Sequence, residues 1–197
     1  MNIYFLKEKF QKKKIPIIRV KGVSMIVVYT DGAASNNGKE GAIGGYGWVI
    51  QLPQEKPFIF GGRVENATNN QMELTAMISA LNTLQGWFDR GEATCDTEVY
   101  VYTDSAYICN CYSQKWYLNW QKNSWINSKG QPVANKEMWE ILVPYFQRPN
   151  IHIIKVKGHS DNLGNQTADK IAVAARMLDA SNFKEFMSNL REKMELI

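Results

Sequence analysis

Four carboxylates stand where the chain passes from one kind of element to the next: Asp31, Glu73, Asp104 and Asp169. Asp31 follows the apolar run Met25 to Tyr29, and Asp104 follows Val99-Tyr-Val-Tyr-Thr. Glu73 falls in the first turns of one helical pattern and Asp169 in the first turn of another. If the two apolar runs are parallel neighbouring strands, their C-terminal ends meet at one edge of a sheet, where open α/β sheets place their sites. Acids gathered there repel one another unless cations bind among them. Hard oxygen donors select Mg²⁺ or Mn²⁺. Two such ions roughly 4 Å apart can flank a phosphodiester, one activating water and the other stabilising the leaving oxygen. A lone acid at a strand end is as readily a cap or a solvated charge. The four together point to chemistry.

The elements that must position them follow from periodicity. Met25 to Tyr29 reads as the first strand, and Asp31 to Gly45, rich in Gly, Ala, Ser and Asn, as a loop that lets backbone approach a ligand. Gly45 to Gln51 and Pro57 to Val64 read as two further strands of an antiparallel meander. Asn69 to about Phe88 is a helix capped by Thr68 or Asn69, with an apolar surface wide enough to press on a sheet. Glu98 to Thr103 is the fourth strand, and Asp104 or Ser105 caps a helix to about Tyr112. Gln114 to Gln147 is helical with interruptions, Ile151 to Val156 is the fifth strand, and Gln166 to about Leu178 is a helix. Phe183, Phe186, Leu190 and Met194 line one face of a last helix. The expected fold is α/β: one five-stranded mixed sheet in βββαβααβα order, with helices packed on both faces. The expected division is a basic extension over 1–24, a domain over 25–180 and a C-terminal helix over 181–197.

Composition bounds the classes open to the chain. An apolar fraction of 45% and an aromatic fraction of 12% suffice for a packed core. No apolar run approaches the roughly 18 residues of a membrane span. Ile3-Tyr-Phe-Leu precedes a lysine cluster, the reverse of a signal peptide, so a cytoplasmic protein is expected. Cys95, Cys109 and Cys111 match neither a disulfide framework nor a zinc site and read as idle thiols. Residues 1–24 hold seven Lys/Arg and one Glu, a net +6. The whole chain carries +4, which leaves −2 on the remainder. A basic arm on a mildly acidic body suits a polyanionic partner. Nothing in the sequence demands an oligomer, so a monomer is expected.

The motifs Thr30-Asp-Gly-Ala, Thr68-Asn-Asn-x-Met-Glu, Thr103-Asp-Ser and Lys157-Gly-His-(x)₅-Asn-x-x-Ala-Asp169 resemble type 1 ribonuclease H in order, spacing and strand context. The resemblance spans about residues 25 to 178. It implies an endonuclease that cuts the RNA strand of RNA–DNA hybrids with two divalent ions, Mg²⁺ or Mn²⁺, and leaves 3′-hydroxyl and 5′-phosphate ends. It implies metal binding by Asp31, Glu73, Asp104 and Asp169. His159, in the loop ten residues before Asp169, would carry a proton or assist product departure, as an imidazole that titrates near neutrality can. His152, inside the fifth strand, reads as structural.

An enzyme that cuts only RNA must detect the 2′-hydroxyl, which both donates and accepts hydrogen bonds. Gly32, Asn37, Asn69, Asn70 and Gln71 are placed for that task, Asn165 fits a family position near the last carboxylate, and Thr68 suits a phosphate of the DNA strand. Capping or turn formation is the competing role of each. The stretch from Trp116 to Trp139 is similar to the family's basic protrusion. There Trp116 and Trp120 would meet sugars or bases while Lys115, Lys122, Lys129 and Lys136 meet phosphates. Trp125 and Trp139 read as core. The stretch departs from the family pattern in its few basic residues, partly offset by Glu137 and Glu140, and elsewhere Ala106 stands where a polar residue often follows the Thr-Asp-Ser triplet. Competing readings are a hybrid-binding module without catalysis, and an integrase-like or exonuclease-like member of the wider superfamily.

Overall fold

The computed structural model describes residues 25–94, 96–158 and 162–194. The extension over 1–24, Cys95 and His159 lie outside the described residues. Five strands form one sheet: β1 (Met25–Ala34), β2 (Ile43–Gln51), β3 (Phe58–Glu65), β4 (Glu98–Thr103) and β5 (Ile151–Lys155). Their order is β3-β2-β1-β4-β5. The first three strands pair antiparallel, as short connections allow, and β4 and β5 add in parallel through helical crossovers. The helices are α1 (Asn69–Asp89), α2 (Ala106–Ser113), α3 (Trp116–Lys122), α4 (Lys136–Phe146), α5 (Leu163–Met177) and α6 (Ala180–Lys193). This is the expected mixed α/β sheet, and the interrupted helical stretch resolves into α3 and α4.

Alternation along the strands divides the core in two. Ile26, Val28, Trp48, Ile50, Val99 and Val101 face α1 and α4. Tyr29, Val49 and Ile59 face the other way, under Ala168 and Ile171 of α5 and Met187 of α6. Helices therefore lie on both faces. Arg191 of α6 donates to the Ile59 carbonyl of the edge strand β3 at 3.3 Å. A bonded, covered edge is a poor template for pairing with other chains.

Of the boundaries that differ from expectation, two move site residues. β1 does not end at Tyr29 but runs to Ala34, because β2 continues to pair with it: Asp31 opposes Gly47 and Ala34 opposes Gly44. Its Gly/Ala composition resembled a loop, but those small residues admit helices against both faces. A Cβ at Gly32 would lie 2.3 Å from the Glu73 amide nitrogen, and one at Gly45 would lie 2.0 Å from the Ala172 carbonyl oxygen. The last crossover helix starts at Leu163 rather than Gln166, with Asn162 as its cap accepting from the Asn165 N–H at 3.1 Å. Asp169 consequently lies in the second turn of α5, not the first.

Candidate metal and nucleic-acid site

Strand pairing creates the site. β1 and β4 run in parallel register up to Tyr29 opposite Tyr102. Beyond that pair β1 stays with β2 alone, and Asp31 and Asp104 each follow two residues later. Glu73 arrives from α1, which touches β1 through Gly32. Carboxylate oxygens of Asp31, Glu73 and Asp104 all lie within 4.8 Å of one another. Asp31 is only 7% exposed and Glu73 only 5%. Asp169 lies outside that close group, yet its charge acts on Asp31 from α5.

Burial and mutual repulsion hold these acids toward their neutral forms. Asp31 rises from its ordinary 3.8 to about 7, through burial first, then the charges of Asp104 and Asp169. Glu73 is pushed well above 4.5 by burial, then by Asp31 and Asp104. The Gly32 N–H works in the opposite direction on both. Glu73 Oε2 is buried without a hydrogen-bond partner among the described residues. An orphaned buried carboxylate oxygen, facing two further acids, calls for a positive partner. The donor set is all oxygen and fits a hard divalent cation.

The remaining expected residues separate by what their side chains already do. Thr68 and Gln71 form a capping box: Thr68 Oγ1 accepts from the Gln71 N–H at 3.2 Å, and Gln71 Oε1 accepts from the Thr68 N–H at 2.9 Å. Asn37, in left-handed backbone, accepts from the Asn69 N–H at 2.9 Å, and Asn69 Oδ1 accepts from the Ala34 N–H at 3.1 Å. These two bonds staple the start of α1 to the end of β1 and use only the Oδ1 atoms, leaving both Nδ2 donors available among the described residues. Asn70 is exposed, and its side chain makes no hydrogen bond among the described residues. Asn165 is 2% exposed, with its Oδ1 unpartnered among the described residues.

His159 lies outside the described residues, but its neighbour Gly158 is placed. A Cβ there would lie 2.8 Å from Asp104 Oδ2, so the loop leaving β5 passes against that carboxylate. His152 stacks on Tyr100 with centroids 4.8 Å apart, and its Nε2 lies 2.5 Å from Glu98 Oε2. Burial pushes the Cys109 thiol to about 11 and the Cys111 thiol to about 12, which keeps both protonated and unreactive.

Four of the six tryptophans form one aromatic chain. Trp120 lies 6.1 Å from Trp116, 6.2 Å from Trp125 and 5.6 Å from Trp139 between ring centroids. Trp139 is fully buried, while Trp116 and Trp120 are half-buried against the core. Lys115, Lys122 and Lys129 are exposed around them, and Lys136 meets Glu140 at 3.6 Å. The packing anchors these rings and leaves part of the faces of Trp116 and Trp120 to solvent. Sequence reasoning passed over Tyr29, Tyr102 and Gly164, which frame the site from beneath. The signal was the period-2 placement of Tyr29 ahead of Asp31 and of Tyr102 ahead of Asp104.

Residues 23–177 match the family profile described as RNase H. The ribonuclease H of Clostridium botulinum is 42% identical over 147 residues, covering 75% of this chain and 92% of that protein. That of Syntrophomonas wolfei is 38% identical over 149 residues, covering 75% and 92%. Among solved structures, LC9-RNase H1, a type 1 RNase H with the type 2 active-site motif, aligns with TM-score 0.65 at 23% identity, covering 94% of this chain and 89% of that one. LC11-RNase H1, solved in complex with RNA/DNA hybrid, aligns with TM-score 0.57 at 24% identity, covering 77% and 96%. Given the carboxylates at the parting of β1 and β4, the matching profile and these relatives, the chain belongs to the ribonuclease H family.

Proposed function

We propose that this protein hydrolyses the RNA strand of RNA–DNA hybrids internally, at the site built by Asp31, Glu73, Asp104 and Asp169. The observation that carries this reading is the cluster of three carboxylates within 4.8 Å, two of them buried, with one buried oxygen unpartnered. Asp31, Glu73 and Asp104, with Asp169 from α5, would hold two divalent ions. Held there, Mg²⁺, or Mn²⁺ in its place, would supply Lewis acidity to the scissile phosphate and ease deprotonation of a water.

The chain's own groups do the rest. With cations bound, Glu73 and Asp31 would carry their negative charge in a nearly dry setting, which strengthens the attraction between carboxylates and cations. Asn70 and the Nδ2 donors of Asn37 and Asn69 offer hydrogen bonds for the 2′-hydroxyls of an RNA strand. Asn165, buried with an acceptor unpartnered among the described residues, suits a hydroxyl donor. Trp116 and Trp120, with the lysines around them, meet the DNA strand. His159 would move a proton at the departing 3′ oxygen, a role supported by the path of its loop past Asp104.

The basic extension over 1–24 would add affinity for the polyanion. Deleting it should raise KM and flatten its salt dependence with kcat little changed. An unchanged salt dependence would remove that role. The reaction itself is tested at the product ends. Cleavage of a labelled hybrid should leave 5′-phosphate and 3′-hydroxyl termini, and 5′-hydroxyl termini would contradict the proposed hydrolysis. The protein is expected to act as a monomer in the cytoplasm, which sedimentation and cell fractionation would check.

A further inference from the structure

Helix α5 does not lie evenly on the sheet. Along its body it sits directly on strand backbone. A Cβ at Gly47 would lie 2.5 Å from the Ala168 carbonyl oxygen, and one at Gly45 would lie 2.0 Å from that of Ala172. At the N-terminal end an entire tyrosine ring intervenes. A Cβ at Gly164 would lie 2.2 Å from Tyr29 Cε2 and 2.7 Å from Tyr29 Cζ, so the Gly164 backbone rests on that ring. The ring cannot swing aside freely, because Tyr102 of β4 stacks on it with centroids 5.2 Å apart and planes at 25°. The Tyr29 hydroxyl also accepts a long hydrogen bond, 3.5 Å, from the side chain of the α5 cap, Asn162.

We infer that Tyr29 is a positioning residue: its ring props the first turn of α5 away from the sheet and so sets how Asp169 approaches Asp31 and Asp104. Glycines under the body and an aromatic ring under the end act together as a wedge that fixes the helix's inclination. Tyr29 is two residues from Asp31 on the same strand, so one rigid segment carries both the central carboxylate and the prop for the helix bearing the fourth. A small displacement there matters, because groups that orient metal ligands typically contribute about 10- to 100-fold to metal affinity or activity.

This inference rests on the reading of the four carboxylates as a metal site. Its test therefore measures Mn²⁺ affinity by calorimetry without substrate, beside kcat and KM on a hybrid. Tyr29→Phe keeps the ring and should behave within about 2-fold of wild type, whereas Tyr29→Leu should weaken Mn²⁺ binding and lower kcat by about 10-fold with KM unchanged. Adding Gly164→Ala to Tyr29→Leu refills the space beneath the helix and should restore most of the loss. Gly164→Ala alone presses a methyl on the ring and should impair Mn²⁺ binding too. This variant also decides the matter if Tyr29→Leu does not fold. Folded Tyr29→Leu with wild-type Mn²⁺ affinity, a loss that Gly164→Ala does not relieve, or unimpaired binding in Gly164→Ala alone would each overturn the inference. A wild type that binds Mn²⁺ but cuts no hybrid would defeat the functional reading, while the affinities would still decide the role of Tyr29.

Discussion

Tyr29 and Tyr102 are the last register partners of β1 and β4, and each stands two residues ahead of a carboxylate of the cluster. Their stacked rings mark the point at which the sheet parts. Below it, main-chain hydrogen bonds satisfy both strands. Above it, β1 stays with β2, and Asp31 and Asp104 face a common opening. The site is thus a consequence of where one parallel ladder stops.

The cluster should weaken the fold when no cation is present. Asp31 titrates near 3.8 in an unfolded chain and at about 7 in the folded one. A group raised in this way favours folding while protonated, and that contribution is lost as pH rises from about 4 to about 7. Asp31→Asn removes the loss, so without divalent ions the mutant should be the more stable protein above pH 7, with the difference vanishing near pH 4. The full shift corresponds to about 4 kcal/mol, and relaxation with entering water should leave ~1–2 kcal/mol. Urea unfolding in EDTA at pH 4 and pH 8 checks it. Equal stabilities at pH 8 would show that Asp31 is not under strain.

Divalent ions should reverse that strain in the wild type. Mg²⁺ or Mn²⁺ at 100 times its dissociation constant would stabilise the fold by about 2.7 kcal/mol by mass action. The thermal midpoint should rise with Mg²⁺, and the rise should shrink in Asp31→Asn and Glu73→Gln. A rise of the same size in those variants would place the ions elsewhere.

The residues at the start of α1 should divide into two kinds. Thr68 holds a reciprocal capping pair with Gln71, so Thr68→Ala should cost about 1 kcal/mol of stability. Asn70 is exposed and uncommitted, so Asn70→Ala should leave stability within about 0.5 kcal/mol while raising KM for the hybrid several-fold. Denaturation midpoints beside steady-state kinetics separate the two. A stable Thr68→Ala with raised KM would make Thr68 a substrate contact after all.

Much of this arrangement was legible in the sequence. The alternation in Val99 to Thr103 gave β4 with its bounds intact, and Thr68, expected with Asn69 as an alternative cap, stands at the start of α1. The end of β1 was not legible. Gly, Ala, Ser and Asn mark loops when read locally, and here they admit α1 at Gly32 and α5 on the neighbouring glycines of β2. Local composition cannot distinguish a glycine that frees the chain from one that lets another element in. The start of α5 was misplaced for a related reason, since Leu163 and Gly164 do not look like a first helical turn without the Tyr29 ring beneath them. The carboxylates could be grouped from their motifs, but their unequal burial could not, because it depends on which helices cover the opening.

The central claim is tested most directly with three labelled duplexes of one sequence, RNA–DNA, RNA–RNA and DNA–DNA, incubated with Mg²⁺ or EDTA and with wild type or Asp31→Asn. The account predicts internal cutting of the RNA strand of the hybrid alone, abolished by EDTA and by the substitution while the mutant stays folded. Cutting that persists in Asp31→Asn, or tight hybrid binding by the wild type with no cutting under Mg²⁺ or Mn²⁺, would contradict it.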